Sequence, residues 1–204
     1  MDNNSYYEID ISGSELLIIS FTSQGKMVRD VQSYDFFNFL ENKFPHASRY
    51  FYVDIHRTCY HKGIHDKSTN IDETVEYLKH KVKKYKHVIF IGLSSGGYAA
   101  LLYSSLVGIS DVIAFYPQTI LRSQNIDEKY RDISKYINDY TKYHLYGDLR
   151  KTNVIDCHHI SQCERIAHHP NVYLTKKSYI NLRYMRDNGE LYTIINNIIN
   201  SRDP

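Results

Sequence analysis

Apolar and polar positions along the chain follow two periods, and the switches between them mark its elements. Val88 to Ile91 is an unbroken apolar run that meets Gly92, and small and apolar residues recur at helical spacing straight after Gly97. That pattern predicts a buried parallel strand turning sharply into a helix that runs to about Val107. Tyr6 to Ile11 alternates apolar with polar, Ser12-Gly13 marks a turn, and Leu16 to Phe21 is continuously apolar. The pair reads as an antiparallel hairpin at the sheet edge, its second strand the more buried. Thr22-Ser-Gln-Gly25 breaks the pattern, and Phe36, Phe37, Leu40 and Phe44 then repeat as in a helix from about Tyr34 to Lys43.

Tyr50 to Ile55 is the next strand. It runs into a loop rich in functional groups, Asp54 to Asp66, and Asn70 with Glu73 has the form of a capping box ahead of the stripe Ile71, Val75, Leu78 and Val82. Asp111 to Tyr116 forms a strand stopped by Pro117. The long connection Gln118 to Thr141, with helical patterning over Asp127 to Tyr140, reads as a small cap over the sheet's upper edge. A short strand at Tyr143 to Tyr146, a helix from Asp156 to Ala167, a last strand at Asn171 to Leu174 and a terminal helix capped by Asp187 and Glu190 complete the chain. In that helix Leu191, Ile194, Ile195, Ile198 and Ile199 face the core.

Strands and helices thus alternate after the hairpin. The expected fold is α/β, a three-layer α/β/α sandwich around a mostly parallel sheet of about seven strands. Residues 1–204 are read as a single domain with the excursion 118–141 as its cap. Ligands in such sheets bind beyond the carboxyl ends of the strands, which selects the loops at Thr22, His56, Ser94, Pro117, Asp148 and Lys176 as one rim.

Composition narrows the function classes. A formal net charge of +2, with acids and bases interspersed, gives no long-range field to draw nucleic acid or an anionic membrane. The basic run Lys79 to Lys86 closes a helix, where cations oppose the dipole. No apolar run approaches a membrane span and the first residues lack a leader's pattern, so a soluble, cytoplasmic protein is expected. Cys59, Cys157 and Cys163 suit a reducing compartment better than a disulfide framework. The cluster from Cys157 to His169 meets no standard zinc spacing, and neither metal nor cofactor is expected.

Gly92-Leu-Ser-Ser-Gly96 matches G-x-S-x-G, the nucleophile elbow. The central serine of that motif needs a strained corner to project its hydroxyl from the sheet, and the flanking glycines pass too close to neighbouring backbone to carry side chains. Strand before and helix after supply the context the motif requires. Ser94 is therefore the candidate nucleophile.

The order of elements and this corner together resemble the α/β-hydrolase superfamily over nearly the whole chain. More narrowly, Cys59-Tyr-His-Lys-Gly-Ile64, Ile89-Phe-Ile-Gly-Leu-Ser-Ser-Gly-Gly-Tyr-Ala-Ala100 and Ala114-Phe-Tyr-Pro-Gln-Thr119 look like small hydrolase-like proteins of giant DNA viruses and bacterial surface-polysaccharide clusters. Some similar proteins are serine-dependent carbohydrate O-acetyltransferases. A viral origin would place the protein in the host cytoplasm.

The superfamily pattern implies an acid after the penultimate strand and a histidine after the last. The N–H of Ser95, and one from around Phe21 or Thr22, would form the oxyanion site, with Gln118 facing the substrate. Asp148 and Asp156 both qualify as the acid. Asp156 is preferred, because in similar sequences an acid three positions ahead of a histidine opens this helix; a plain helix N-cap is the competing reading. No histidine follows His169, so the standard triad is broken. His56, His61, His158 and His159 all lie on the rim, and position ranks His56 and His159 first, whereas His168 and His169 fall at the opposite end.

These residues imply serine-dependent acyl transfer to water or to a sugar hydroxyl, on a small-molecule or glycan substrate. The alternative is a catalytically degenerate binding or scaffold protein on the same fold. The oligomeric state is left open.

Overall fold

The structure is a computed structural model and describes residues 5–24, 27–28, 31–32 and 34–201. Its first half comprises β1 (Tyr6–Ile9), β2 (Leu16–Phe21), β3 (Met27–Val28), β4 (Val31–Gln32), α1 (Phe37–Lys43), β5 (Ser48–Tyr52), α2 (Ile71–Val82) and β6 (His87–Leu93). Then come α3 (Ser94–Val107), β7 (Asp111–Phe115), β8 (Lys142–Asp148), α4 (Ser161–Glu164), β9 (Val172–Lys177), α5 (Leu182–Asp187) and α6 (Glu190–Asn200). Seven strands form one sheet in the order β1-β5-β2-β6-β7-β8-β9, parallel except where β1 meets β5. The expected α/β architecture is present. Gly25 of the loop after β2 lies outside the described residues.

The unbroken apolar runs explain the layers. Along β2, Leu17, Ile19 and Phe21 pack in one cluster with α2 and α3, while Ile18 packs in the other with α1 and α6. In β6, Val88 and Phe90 likewise face one layer, Ile89 and Ile91 the other. A strand covered on both faces needs apolar residues at every position. Each such side chain, fully buried, contributes roughly 1.5–3 kcal/mol.

The expected hairpin does not form. β2 runs parallel between β5 and β6, and β1 crosses over to pair antiparallel with β5 at the edge. Alternation in β1 and continuity in β2 do separate an edge strand from a central one, but neither pattern names the neighbour. The cap is also less helical than its pattern suggests: two short 3-10 turns, Glu128–Tyr130 and Ile133–Lys135, each opened by an aspartate side chain accepting a backbone N–H. The helix expected over Asp156 to Ala167 shrinks to α4. The terminal helix begins after Gly189, in left-handed conformation at φ 84°, so Asp187 closes α5 instead of capping α6.

His61 ties the Asp54 to Asp66 loop to the cap. The Asp127 N–H donates to its Nδ1 at 2.9 Å, so the neutral ring carries its proton on Nε2, 2.8 Å from the Tyr98 hydroxyl, which in turn donates to the Tyr130 carbonyl at 2.6 Å. Burial pushes the imidazole down to about 4 from its ordinary 6.5, against the Asp127 charge and with that of Arg131. Between those values the unfolded chain holds a proton that the folded chain does not, so stability falls as pH falls through this window and levels off below it. Urea denaturation should show the advantage of wild type over His61→Gln shrinking by about 3 kcal/mol between pH 7 and pH 4.

Candidate active site

β6 ends at Leu93 and α3 starts at Ser94 with no residue between them. Ser94 carries the corner at φ 53°, a left-handed conformation that costs a residue with a side chain about 1–3 kcal/mol. Two glycines permit it. A Cβ on Gly92 would run into the Gly96 carbonyl, and one on Gly96 into the Phe21 carbonyl. The hydroxyl of Ser94 therefore sits, half-exposed, at the carboxyl end of the central strand. Ser95 is buried behind it, and its Oγ accepts the Gln24 N–H at 2.8 Å.

His158 meets that hydroxyl, its Nε2 2.6 Å from Ser94 Oγ. It arrives on the loop between β8 and α4, where Asp156 folds an Asx turn: its Oδ1 accepts the His158 N–H at 2.8 Å. The same oxygen lies 3.5 Å from His158 Nδ1, an electrostatic contact longer than a good hydrogen bond, and Lys151 Nζ stands 3.5 Å from the other oxygen. Cys157 Sγ rests 3.7 Å from Nδ1, and the Tyr116 ring stands edge-on to the imidazole at 5.4 Å.

The loop itself is braced from the cap. Arg122 donates to the Ile155 carbonyl at 2.7 Å, Gln162 Oε1 accepts the N–H groups of Thr119 and Ile120, and Arg165 grips Asp132 through two nitrogens at 2.7 and 2.8 Å.

Burial lowers the His158 pKa below 6.5, the Asp156 charge opposing and the Lys151 charge assisting. The neutral imidazole is thus the resting form at neutral pH, able to accept a proton. Asp156 is held below the ordinary carboxylate range, first by the backbone N–H of His158 and then by Lys151 and His158. Burial raises the Cys157 thiol, which stays protonated.

The other residues singled out by sequence lie elsewhere. His56 is exposed and packs its ring against His65, 6.2 Å away, and His159 Nδ1 is bonded to the Ser161 hydroxyl at 2.8 Å; it is His158 that reaches Ser94. Asp148 is buried at the end of β8 with its oxygens on Arg150, at 2.8 and 3.2 Å, and on the Ile180 N–H. Burial alone would raise its pKa, but Arg150 and the backbone donors bring it below the ordinary value.

Thr22 gives its N–H to the Tyr52 carbonyl at 2.9 Å, leaving no proton there for an oxyanion. Phe21 is wholly buried among Tyr52, Tyr60, Phe90 and Tyr103. Gln118 is half-buried just past Pro117, whose ring covers Gly97. Asp156, Cys157 and His158 bring potential metal-ligand atoms within 4.8 Å of one another, so a metal bound there through Nε2 would compete with Ser94 for the imidazole.

No family model and no curated protein matches the chain. Solved structures do. An esterase of Pyrococcus furiosus superposes with a TM-score of 0.65 over 96% of this chain and 86% of its own, at 20% identity. The capsule O-acetyltransferase of Neisseria meningitidis serogroup A gives 0.64 over 94% and 90%, at 15% identity. A lipase-esterase related protein of Clostridium acetobutylicum gives 0.62 over 95% and 98%, at 12% identity. At these identities the likeness is one of fold: a mostly parallel α/β sheet architecture shared with esterases and an O-acetyltransferase. Among the described residues no helix is long and apolar enough to cross a membrane.

The electrostatics make a direct prediction. In an NMR titration His158 should titrate below 6.5, and in Asp156→Asn lower still, because the nearby charge that favours the imidazolium is gone. A value unchanged by the substitution would show that Asp156 does not act on the ring.

Proposed function

We propose that the protein is a serine-dependent acyl-transfer enzyme, an esterase or carbohydrate O-acetyltransferase acting on a small-molecule or glycan substrate. The observation that carries this reading is the 2.6 Å contact between Ser94 Oγ and His158 Nε2 at a left-handed strand-to-helix corner. The corner has the form of a nucleophile elbow, and a neutral imidazole on the serine is what activation of a hydroxyl requires. The esterase and capsule O-acetyltransferase folds support the class.

In this mechanism Ser94 Oγ attacks the acyl carbonyl while His158 Nε2 takes its proton. Asp156 favours the imidazolium that results. The oxyanion forms against the Ser95 N–H, one of the first-turn amides of α3 that have no partner within the helix. The tetrahedral adduct collapses, His158 returns the proton to the departing group, and an acyl-enzyme remains. Water or a sugar hydroxyl, deprotonated by the same imidazole, then takes the acyl group.

The degenerate-scaffold alternative rests on the lack of a histidine after β9. That lack weighs less once an imidazole reaches Ser94 from the preceding loop. Free thiols at all three cysteines fit an intracellular site of action.

A fluorophosphonate probe should label Ser94 in wild type and not in Ser94→Ala, and His158→Ala should slow labelling by about 10²–10⁴-fold. Ester hydrolysis should gain its activity, as pH rises, at a pH below 6.5, because the base form of His158 persists below the ordinary histidine value. An unlabelled wild type, under conditions that modify a control esterase, contradicts the proposal.

A further inference from the structure

Beside Ser94, on the sheet face covered by α1, α5 and α6, lies a cavity of about 550 Å³, well within the range of small-ligand sites. It adjoins the serine through Leu93, the preceding residue, and through Tyr116, whose ring stands on His158. Arg150, Arg183, Arg186 and Tyr179 also line it. Arg150 and Tyr179 occupy the loops after β8 and β9, where the superfamily pattern places its acid and histidine. In this chain the end of β8 carries Asp148 with Arg150 beside it, and no histidine follows β9.

Arg150 is fixed from two sides. Its Nη2 and Nε donate to Asp148 at 2.8 and 3.2 Å, and its guanidinium carbon lies 3.4 Å from the centroid of the Tyr179 ring. Asp148 is 2% exposed and also accepts the N–H groups of Arg150 and Ile180, so its orientation is locked. Of the five N–H donors of a guanidinium, two are spent on Asp148 and Tyr179 engages the group as well, so only part of the fork is left for a ligand.

Arg183 and Arg186 are exposed and three apart on α5, which puts them on one side of the helix. Arg186 contacts the neighbouring exposed Asp187, a surface pair weak enough to exchange for a better anion. Among the described lining residues the one carboxylate is Asp35, and its Oδ2 already accepts the Ser23 N–H and hydroxyl.

We infer that this cavity is an anion subsite, and that the enzyme's donor or acceptor carries a phosphate group which Arg150, Arg183 and Arg186 hold beside Ser94. Asp148 is then a positioning residue that aims Arg150. The substrate assignment rests on the acyl-transfer reading, whereas the binding itself does not. Arginine forks suit phosphate oxygens bidentately, and the stacked, anchored Arg150 loses little freedom on binding.

Calorimetry with inorganic pyrophosphate tests the subsite. Wild type should bind it, and Arg183→Gln/Arg186→Gln should weaken binding about tenfold or more, since a charge-assisted hydrogen bond is of that order. Both side chains are exposed, so that variant keeps the fold even if Arg150→Gln, which strands a buried carboxylate, does not. Lys79→Gln, at an exposed position of α2 that does not line the cavity, removes one charge and should change nothing. No binding by wild type, or equal weakening by Lys79→Gln, overturns the inference.

Competition then separates the sources. Displacement of pyrophosphate by coenzyme A assigns the phosphate to the donor, displacement by a hexose phosphate assigns it to the acceptor, and displacement by neither overturns the substrate claim. Fluorophosphonate labelling of Ser94 reports independently. Labelled protein that ignores pyrophosphate loses only the subsite, while arginine-dependent binding to unlabelled protein loses only the acyl-transfer reading.

Discussion

The site depends on one close approach, the Phe21 carbonyl at the end of β2 against the α-carbon of Gly96 in the first turn of α3. With any side chain at Gly96 the helix could not cross so near the strand, and the corner at Ser94 would have to open. The same approach carries the loop after β2 to the start of α3, where the Gln24 N–H meets Ser95 Oγ at 2.8 Å. The carbonyl it uses belongs to a strand paired on both edges, with β5 and with β6, so it cannot easily move away. The left-handed serine costs about 1–3 kcal/mol, and one buried apolar side chain contributes about as much. A sheet core with Phe21, Phe90 and Tyr103 fully buried beside the corner can sustain that strain.

Much of this was legible from residue order. Continuous apolar runs in β2 and β6 announce strands buried on both faces, and G-x-S-x-G between a strand and a helix locates Ser94, because sterics at that corner leave few other residue choices. Strand neighbours were not legible: the pleat of β1 says that one face is wet, which holds equally beside β2 or beside β5. Nor was the shortness of the 156–167 helix. An aspartate followed by apolar residues at helical spacing suits a helix start, and it equally suits an Asx turn whose side chain takes the second N–H onward.

That ambiguity is also why the sequence does not single out His158. In a helix, adjacent residues such as His158 and His159 point about 100° apart, and their facing can be counted from the core stripe. In a turn it depends on backbone angles that composition does not encode. The Asp-x-His spacing, read as a turn in which the acid accepts the histidine's own N–H at 2.8 Å, was the available signal. It separates His158 from His159, whose ring nitrogen is occupied locally by Ser161.

Taking acid and imidazole from one turn has a structural consequence. Where the two come from separate strands, the sheet itself sets their distance; here it is set by two residues of loop, which the sheet cannot rigidify. Stiffness has to come from outside, and the cap supplies it: Arg122 on the Ile155 carbonyl, Gln162 on Thr119 and Ile120, and Arg165 on Asp132 all join the excursion to the chain on either side of His158. The 3-10 turns of the cap, each opened by an aspartate, hold Asp132 where Arg165 can reach it. The excursion between β7 and β8 therefore braces the chain on either side of His158. With His158 brought to Ser94 by this braced loop, the end of β8 is left to Asp148, which anchors Arg150 there.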